Sequence, residues 1–187
     1  ALSDAVDIGI IVYNTHWVTH GGIALDTMKK ICQLEQVVAV KWHPNPGDDY
    51  EALYEFKDRV SIVENTGRPM VGHKLGARGY INMTVDAHPP HDFRVWDLME
   101  EGRYDEAQEL FDSVYRPLWD FHLKLNQRSG GVARTKKGMA TLLGHHMGSM
   151  RPPSLPLSEE ELDELREIMD GWGWPVVTRK EAAQALA

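Results

Sequence analysis

The stretch VVAVKWHPN, residues 37–45, ends an apolar run on a lysine. A lysine in that place has two readings. The ordinary one is a side chain leaving a sheet for water along its aliphatic stem. The other is an amine held at the carboxyl end of a β-strand, where burial or a neighbouring cation strips its proton and leaves a nucleophile. A second reactive side chain, Tyr13, ends the apolar run IGIIVY 28 residues before Lys41. Its phenol can pass protons, or it can cap a core with the hydroxyl bonded to backbone. If the two runs are neighbouring strands, both side chains converge on one pocket.

Other candidates weigh less. His16 and His20 have the i, i+4 spacing of a helical metal site, but Gly21 and Gly22 follow and the segment leaves a strand. No helix is expected to present both, and pocket lining is the better reading. His88 and His91 flank two prolines, and His145–His146 stand at a helix end; solvent contact or capping suits them. GHKLGARG lacks the Gly-Lys-Ser/Thr ending of a phosphate loop. The acidic run Glu159–Glu161 reads as a helix amino terminus favoured by the dipole. Trp96, Phe111, Tyr115, Trp119 and Phe121 fall on helical segments and read as core or subunit contact.

The elements that must position Lys41 and Tyr13 can be read from periodicity. The 187 residues suit one domain with a proper core, at 42% hydrophobic and 26% charged. A net charge of −8 with no basic stripe argues against a nucleic-acid or anionic-membrane binder. The apolar run near the start is too short to span a bilayer. The single cysteine, Cys32, excludes an internal disulfide and suits a reducing, cytoplasmic compartment. Because the chain opens on ALSDAVDIG with no Met, a processed or partial product is expected.

DIGIIVYN, VVAVK, VSIVEN and GYINMT read as four strands. Between them lie helical patterns: GIALDTMKKICQLEQ, with its apolar stripe on Ile23, Met28, Ile31 and Leu34; DDYEALYEFKDR; and a short PMVGHKLG. This alternation predicts βα units and a parallel sheet. Beyond residue 89 the pattern is helical: PHDFRVWDLMEEG, YDEAQELFDSVYRPLWDFHLKLNQ kinked at Pro117, TKKGMATLLG and SEEELDELREIMDGWG. Gly102, Gly130 and Gly144 fall where helices should stop. Pro152, Pro153 and Pro156 make an extended connector, and Ser158 with Glu161 forms a capping box.

GIIVYN, VVAVK, LGARGYINMT and MRPPSLPLSEEELDEL together, in this order and spacing, resemble the dihydrodipicolinate synthase and N-acetylneuraminate lyase family of class I aldolases. The resemblance covers nearly the whole chain but only part of the family fold, a (β/α)8 barrel with extra carboxyl-terminal helices. It implies an α/β chain corresponding to strands 5–8, the carboxyl-terminal half of a TIM barrel, over residues 1–89. Residues 90–187 are then the final barrel helix and a carboxyl-terminal helical extension. The amino-terminal half, including a Gly-Thr-Thr-Gly-Glu stretch that holds the substrate carboxylate, is absent and is an expected partner. A homo-oligomer is expected too.

By the same resemblance Lys41 is the Schiff-base residue and Tyr13 the proton relay. A neutral amine attacks a ketone, and the resulting iminium withdraws electrons from the adjacent carbon–carbon bond. No cofactor or metal is implied, since the covalent lysine imine does the work. The backbone near Gly79 and Ile81 lines the site, and Thr15 and His43 are counted as substrate contacts. Trp42 should face the opposite side of its strand and pack outward. Two positions depart from the pattern. Val18 stands where dihydrodipicolinate synthases place an arginine five residues beyond the tyrosine, and Trp42 replaces the acidic residue that often follows the lysine. A polyhydroxylated sugar acid, met by the histidines and Asn45, is therefore an alternative to the lysine-pathway substrate. Three functions stay open: a Schiff-base lyase acting on a 2-oxo acid, a barrel enzyme of different chemistry, and a non-catalytic half-barrel subunit.

Overall fold

The computed structural model describes residues 5, 7–19, 21–126, 131–145, 147–148, 150–178 and 181. Strand β1 (Ile10–Tyr13) leads through a single helical turn, α1 (His16–Thr19), to α2 (Leu25–Ile31) and β2 (Val37–Trp42). A 3₁₀ helix (Glu51–Phe56) then precedes β3 (Ser61–Glu64), α3 (Pro69–Leu75) and β4 (Gly79–Tyr80). The helices α4 (Pro89–Glu100), α5 (Tyr104–Asn126), α6 (Val132–Leu142) and α7 (Glu159–Asp170) follow. The chain divides into two compact units, Ala1–Asn82 and Met83–Ala187. Residues 83–88 go with the helices because Met83 and Ala87 join the helical core.

In the first unit the four strands form one parallel sheet in the order β1-β2-β3-β4, as the alternation of strands and helices predicts. Parallel neighbours need a crossover between them, and each short helix supplies one. One face of the sheet is closed by Val40, Trp42 and Ile62 against Met28, Cys32, Leu53 and Tyr54. Trp42 is 1% exposed, so it packs on the face opposite Lys41, and its indole Nε1 donates to the Tyr50 carbonyl at 2.9 Å. Burying a ring of this size contributes roughly 1.5–3 kcal/mol. Cys32 is part of this core.

Several local expectations need correction. The segment after Asp49 is a 3₁₀ helix rather than an α-helix, with i→i+3 bonds such as Lys57 N to Tyr54 O at 3.2 Å. Its six residues put Leu53 and Tyr54 into the core, and so short an element gains little from the α spacing. The first crossover helix stops at Ile31, and Leu34, expected on its buried stripe, lies beyond the helix and is exposed. A turn does form at His16–Thr19, while His20 lies outside the described residues. β4 is two residues long, extended by Ile81 N donating to Glu64 O at 2.9 Å. The chain then turns, because Thr84 accepts the amides of Ala87 and His88 and its hydroxyl donates to Asp92.

The second unit packs Val114, Leu118, Phe121 and Leu125 of α5 with Met139 and Leu142 of α6, Leu165 and Met169 of α7, and Trp174. α5 runs on through Pro117 for 23 residues. Gly102 and Gly144 end helices at φ 74° and 77°, a region glycine enters without steric penalty; Gly130 and His146 lie outside the described residues. The Ser158–Glu161 capping box is complete, each residue's side chain bonded to the other's amide at 3.2 and 2.8 Å. Beneath it, Arg134 and Glu161 form a 2.7 Å ion pair with side chains 5% and 8% exposed. His91 is buried beside Trp174, not solvated, while His145 is exposed with its amide on Ala140 O at 2.8 Å. Among the described residues no helix is long and apolar enough to cross a membrane.

Candidate active site

Strand register decides which side chains share a row. Tyr13 is opposite Lys41, Lys41 opposite Val63, and Val63 opposite Gly79. Because successive residues of a strand point to opposite faces, this row lies on the face away from Trp42. Tyr13 and Lys41 thus come from adjacent parallel strands and meet at their carboxyl ends. The Lys41 Nζ sits 3.9 Å from the centroid of the Tyr13 ring. Among the described residues Lys41 has no carboxylate partner, so an aromatic face holds the amine in place of an anion. Tyr13 is 38% exposed and Lys41 half-buried, leaving both reachable from the open face.

The chain beyond each strand builds the rim. His43 follows Lys41 by two residues, on the same side of the chain, and its Nδ1 lies 2.8 Å from the Asn65 carbonyl. A carbonyl can only accept, so Nδ1 is the donor in this contact. Trp17, from the turn after β1, packs edge-on against His43 at 4.6 Å and against Tyr13 at 5.9 Å. The His16 ring lies 5.3 Å from that of His43, with its Nε2 buried and, among the described residues, without a hydrogen-bond partner. Thr15 is half-buried, and its carbonyl accepts the Val18 amide at 2.8 Å. Gly79 is half-buried with open space where a Cβ would stand, and Ile81 is 45% exposed. Among the described residues no group of three or more His, Cys, Asp or Glu could hold a metal ion.

Three residues that sequence reasoning passed over organise this rim. Asn14, 1% exposed, donates to His43 O at 2.9 Å and to Asn45 Oδ1 at 3.0 Å, and accepts from Ile23 N at 3.0 Å. Asn45 in turn donates to Ile23 O and to Asp48. Its amide is committed to clasping the loops, which corrects the expectation that it meets substrate. Gly22 passes so close that a Cβ would lie 1.6 Å from Asn45 Oδ1. Glu64, fully buried, accepts from the Thr66 amide and hydroxyl and from the Arg68 amide, tying the chain that enters α3. Asn65 reaches the Tyr13 phenol with its side chain, Nδ2 to Oη at 3.4 Å. The signal for all three was polarity at or directly after the end of an apolar strand, which is also the composition of any loop.

A cleft of about 460 Å³ opens at the opposite ends of β2 and β3, lined by Lys57, Asp58, Arg59 and Arg78 among others. Its charges are mixed.

Comparison with known proteins places the chain in a family. The family model for the dihydrodipicolinate synthetase family matches residues 1–171. The 4-hydroxy-tetrahydrodipicolinate synthase of Clostridium novyi is 24% identical over 177 residues, covering 92% of this chain and 57% of that protein. A protein assigned as 5-dehydro-4-deoxyglucarate dehydratase in Oceanobacillus iheyensis is 24% identical over 180 residues, 90% of this chain and 55% of its own. Among solved structures, the dihydrodipicolinate synthase of Thermotoga maritima superposes with a TM-score of 0.74 at 21% identity, over 92% of this chain and 58% of that one. The chain spans little more than half the length of the relatives it matches. With a parallel βα sheet that superposes on these enzymes and a family model that accounts for most of its length, the chain belongs to the dihydrodipicolinate synthetase family.

Proposed function

We propose that this chain carries the lysine half of a Schiff-base lyase acting on a 2-oxo acid, and that it corresponds to strands 5–8 of the family barrel. Lys41 is the imine-forming amine and Tyr13 the proton relay. The observation that carries this reading is the placement of Lys41 Nζ 3.9 Å over the Tyr13 ring, at the carboxyl ends of adjacent parallel strands. That end of a barrel strand is where substrate and catalytic groups meet. Thr15, His43, Gly79 and Ile81 line the same end and serve as substrate contacts. The chemistry begins when Lys41 Nζ adds to the C2 carbonyl and the carbonyl oxygen departs as water. The resulting iminium then accepts the electron pair of a bond to C3. The catalytic amine needs no cofactor for this.

The remaining strands come from a complementary amino-terminal segment. In the described sheet β1 and β4 are edge strands, and Ile11 and Ile81 are 65% and 45% exposed. Edges and apolar faces of this kind call for a covering partner. The coverage of about 57% of the relatives' length agrees with a missing portion. On the substrate, Val18 offers no cation for a second carboxylate, and one relative is assigned as a sugar-acid dehydratase. A 2-oxo-3-deoxy sugar acid therefore fits better than aspartate semialdehyde.

The test is reductive trapping. The native protein, incubated with pyruvate and borohydride, should carry a reduced adduct on Lys41, found by peptide mass analysis. Lys41→Ala should remove both adduct and turnover, since it deletes the covalent step. An adduct on another lysine, or none across a range of 2-oxo acids, refutes the reading. A panel of 2-oxo-3-deoxy sugar acids should be turned over in preference to pyruvate plus aspartate semialdehyde. Efficient condensation of the semialdehyde would overturn the substrate assignment alone.

A further inference from the structure

We infer that Asn65 is the positioning residue of this site, acting through the Tyr13 phenol. The inference rests on the Schiff-base reading above. Asn65 stands just past β3, its amide donating to Trp42 O at 3.1 Å. Two of its other groups face two different proton-handling side chains. Its carbonyl accepts from His43 Nδ1 at 2.8 Å, and its side-chain Nδ2 points at Tyr13 Oη at 3.4 Å. The second distance is long for a hydrogen bond, as such contacts often are before substrate closes a site. An amide nitrogen can only donate, so the phenol oxygen is the acceptor and its own proton is directed elsewhere, to substrate or water. Lys41 lies over the face of the same ring and so cannot serve as the in-plane partner of that oxygen. Asn65 is thus the side chain that fixes the phenol's rotational choice of donor and acceptor.

The consequence lies in proton transfer. The Lys41 iminium of pyruvate loses a C3 proton, the C3–H electron pair becomes the enamine double bond, and the iminium nitrogen becomes neutral. The proton passes to Tyr13 Oη as the phenol hands its own proton to water; return of a solvent proton to C3 regenerates the iminium. Partial negative charge builds on Oη during the exchange, and a donor already aimed at it stabilises that charge without reorganisation. The His43 contact uses the Asn65 main chain, so changing the Asn65 side chain leaves the imidazole's partner in place.

Exchange of the pyruvate methyl protons in D2O, followed by NMR on the native protein, isolates this step. Asn65→Ala should slow exchange roughly tenfold, the worth of one such hydrogen bond. In a Tyr13→Phe background the same change should have no further effect, because the oxygen it served is gone. Asn65→Asp keeps the shape but replaces the donor with a carboxylate, and should lose at least as much; it carries the test if Asn65→Ala does not fold. An equal Asn65→Ala loss in both backgrounds would show a structural role and overturn the inference, as would wild-type exchange in Asn65→Asp. Lys41-dependent exchange in the wild type together with either result leaves the Schiff-base reading standing. No exchange in the wild type with pyruvate or with any other 2-oxo acid overturns both.

Discussion

Truncating Arg134 should be among the most damaging single changes in the helical unit. Its guanidinium, 5% exposed, meets Glu161 Oε2 at 2.7 Å and donates to Leu155 O at 2.8 Å and Pro156 O at 3.0 Å. It therefore pins the proline-rich connector to the start of α7 while neutralising a buried carboxylate that also completes the capping box. Arg134→Ala removes all of this and takes the guanidinium away from the Glu161 carboxylate, 8% exposed in the intact pair. Breaking a buried pair from one side costs about 3–5 kcal/mol, because the surviving charge has lost both water and its counter-ion. For a chain of this size each kcal/mol is worth about 2–4 °C, so the melting temperature should fall by roughly 6–20 °C. Replacing both partners, as Arg134→Met with Glu161→Leu, removes the stranded charge, and the double variant should be more stable than Arg134→Ala. Thermal denaturation of the native protein followed by circular dichroism measures both. A loss for Arg134→Ala of the size typical of an exposed pair, under about 1 kcal/mol, would refute the reasoning, since it would mean that water reaches the carboxylate.

Two further predictions test other parts of the structure. His91 is held below the ordinary histidine range chiefly by burial, with His88 and His122 lowered for the same reason. Below about pH 6.5 the unfolded chain then binds more protons than the native one, so stability should fall as pH drops through that value. His91→Gln should flatten the melting-temperature profile there, and an unchanged slope would exclude His91 as its source. Gly22→Ala should expel Asn45 from its clasp, because the added Cβ would lie 1.6 Å from Asn45 Oδ1. A cost above about 1 kcal/mol is expected, with loss of imine trapping as His43 loosens; unchanged stability and trapping would mean that the loop moves aside freely.

How much of this was legible from residues alone differs by element. The strands and most helices were, because a period of 2 or 3.6 is a local property and each apolar face is written in consecutive residues. The capping box was, since its two residues stand three apart. Leu34 was misplaced because a helical stripe does not say where its helix stops, and here it stops at Ile31. The 3₁₀ geometry after Asp49 was missed because Leu53 and Tyr54 are buried equally well by either helix.

By itself the sequence determined the family resemblance, the parallel alternation of strands and helices, and the candidacy of Lys41 and Tyr13. It could do so because those features depend on residue type at a strand end and on order along the chain. Only the tertiary structure decided that Tyr13 stands opposite Lys41 in register, and that Asn65, 52 residues from Tyr13, reaches its phenol. It likewise decided that Asn14 and Asn45 clasp two loops instead of meeting substrate, and that Arg134 finds Glu161. Such partners are tens of residues apart, and a polar side chain beyond a strand has the same composition whether it is solvated or committed. What selects between those states is the desolvation of each group as the loops close, which charges every buried donor or acceptor left unpaired.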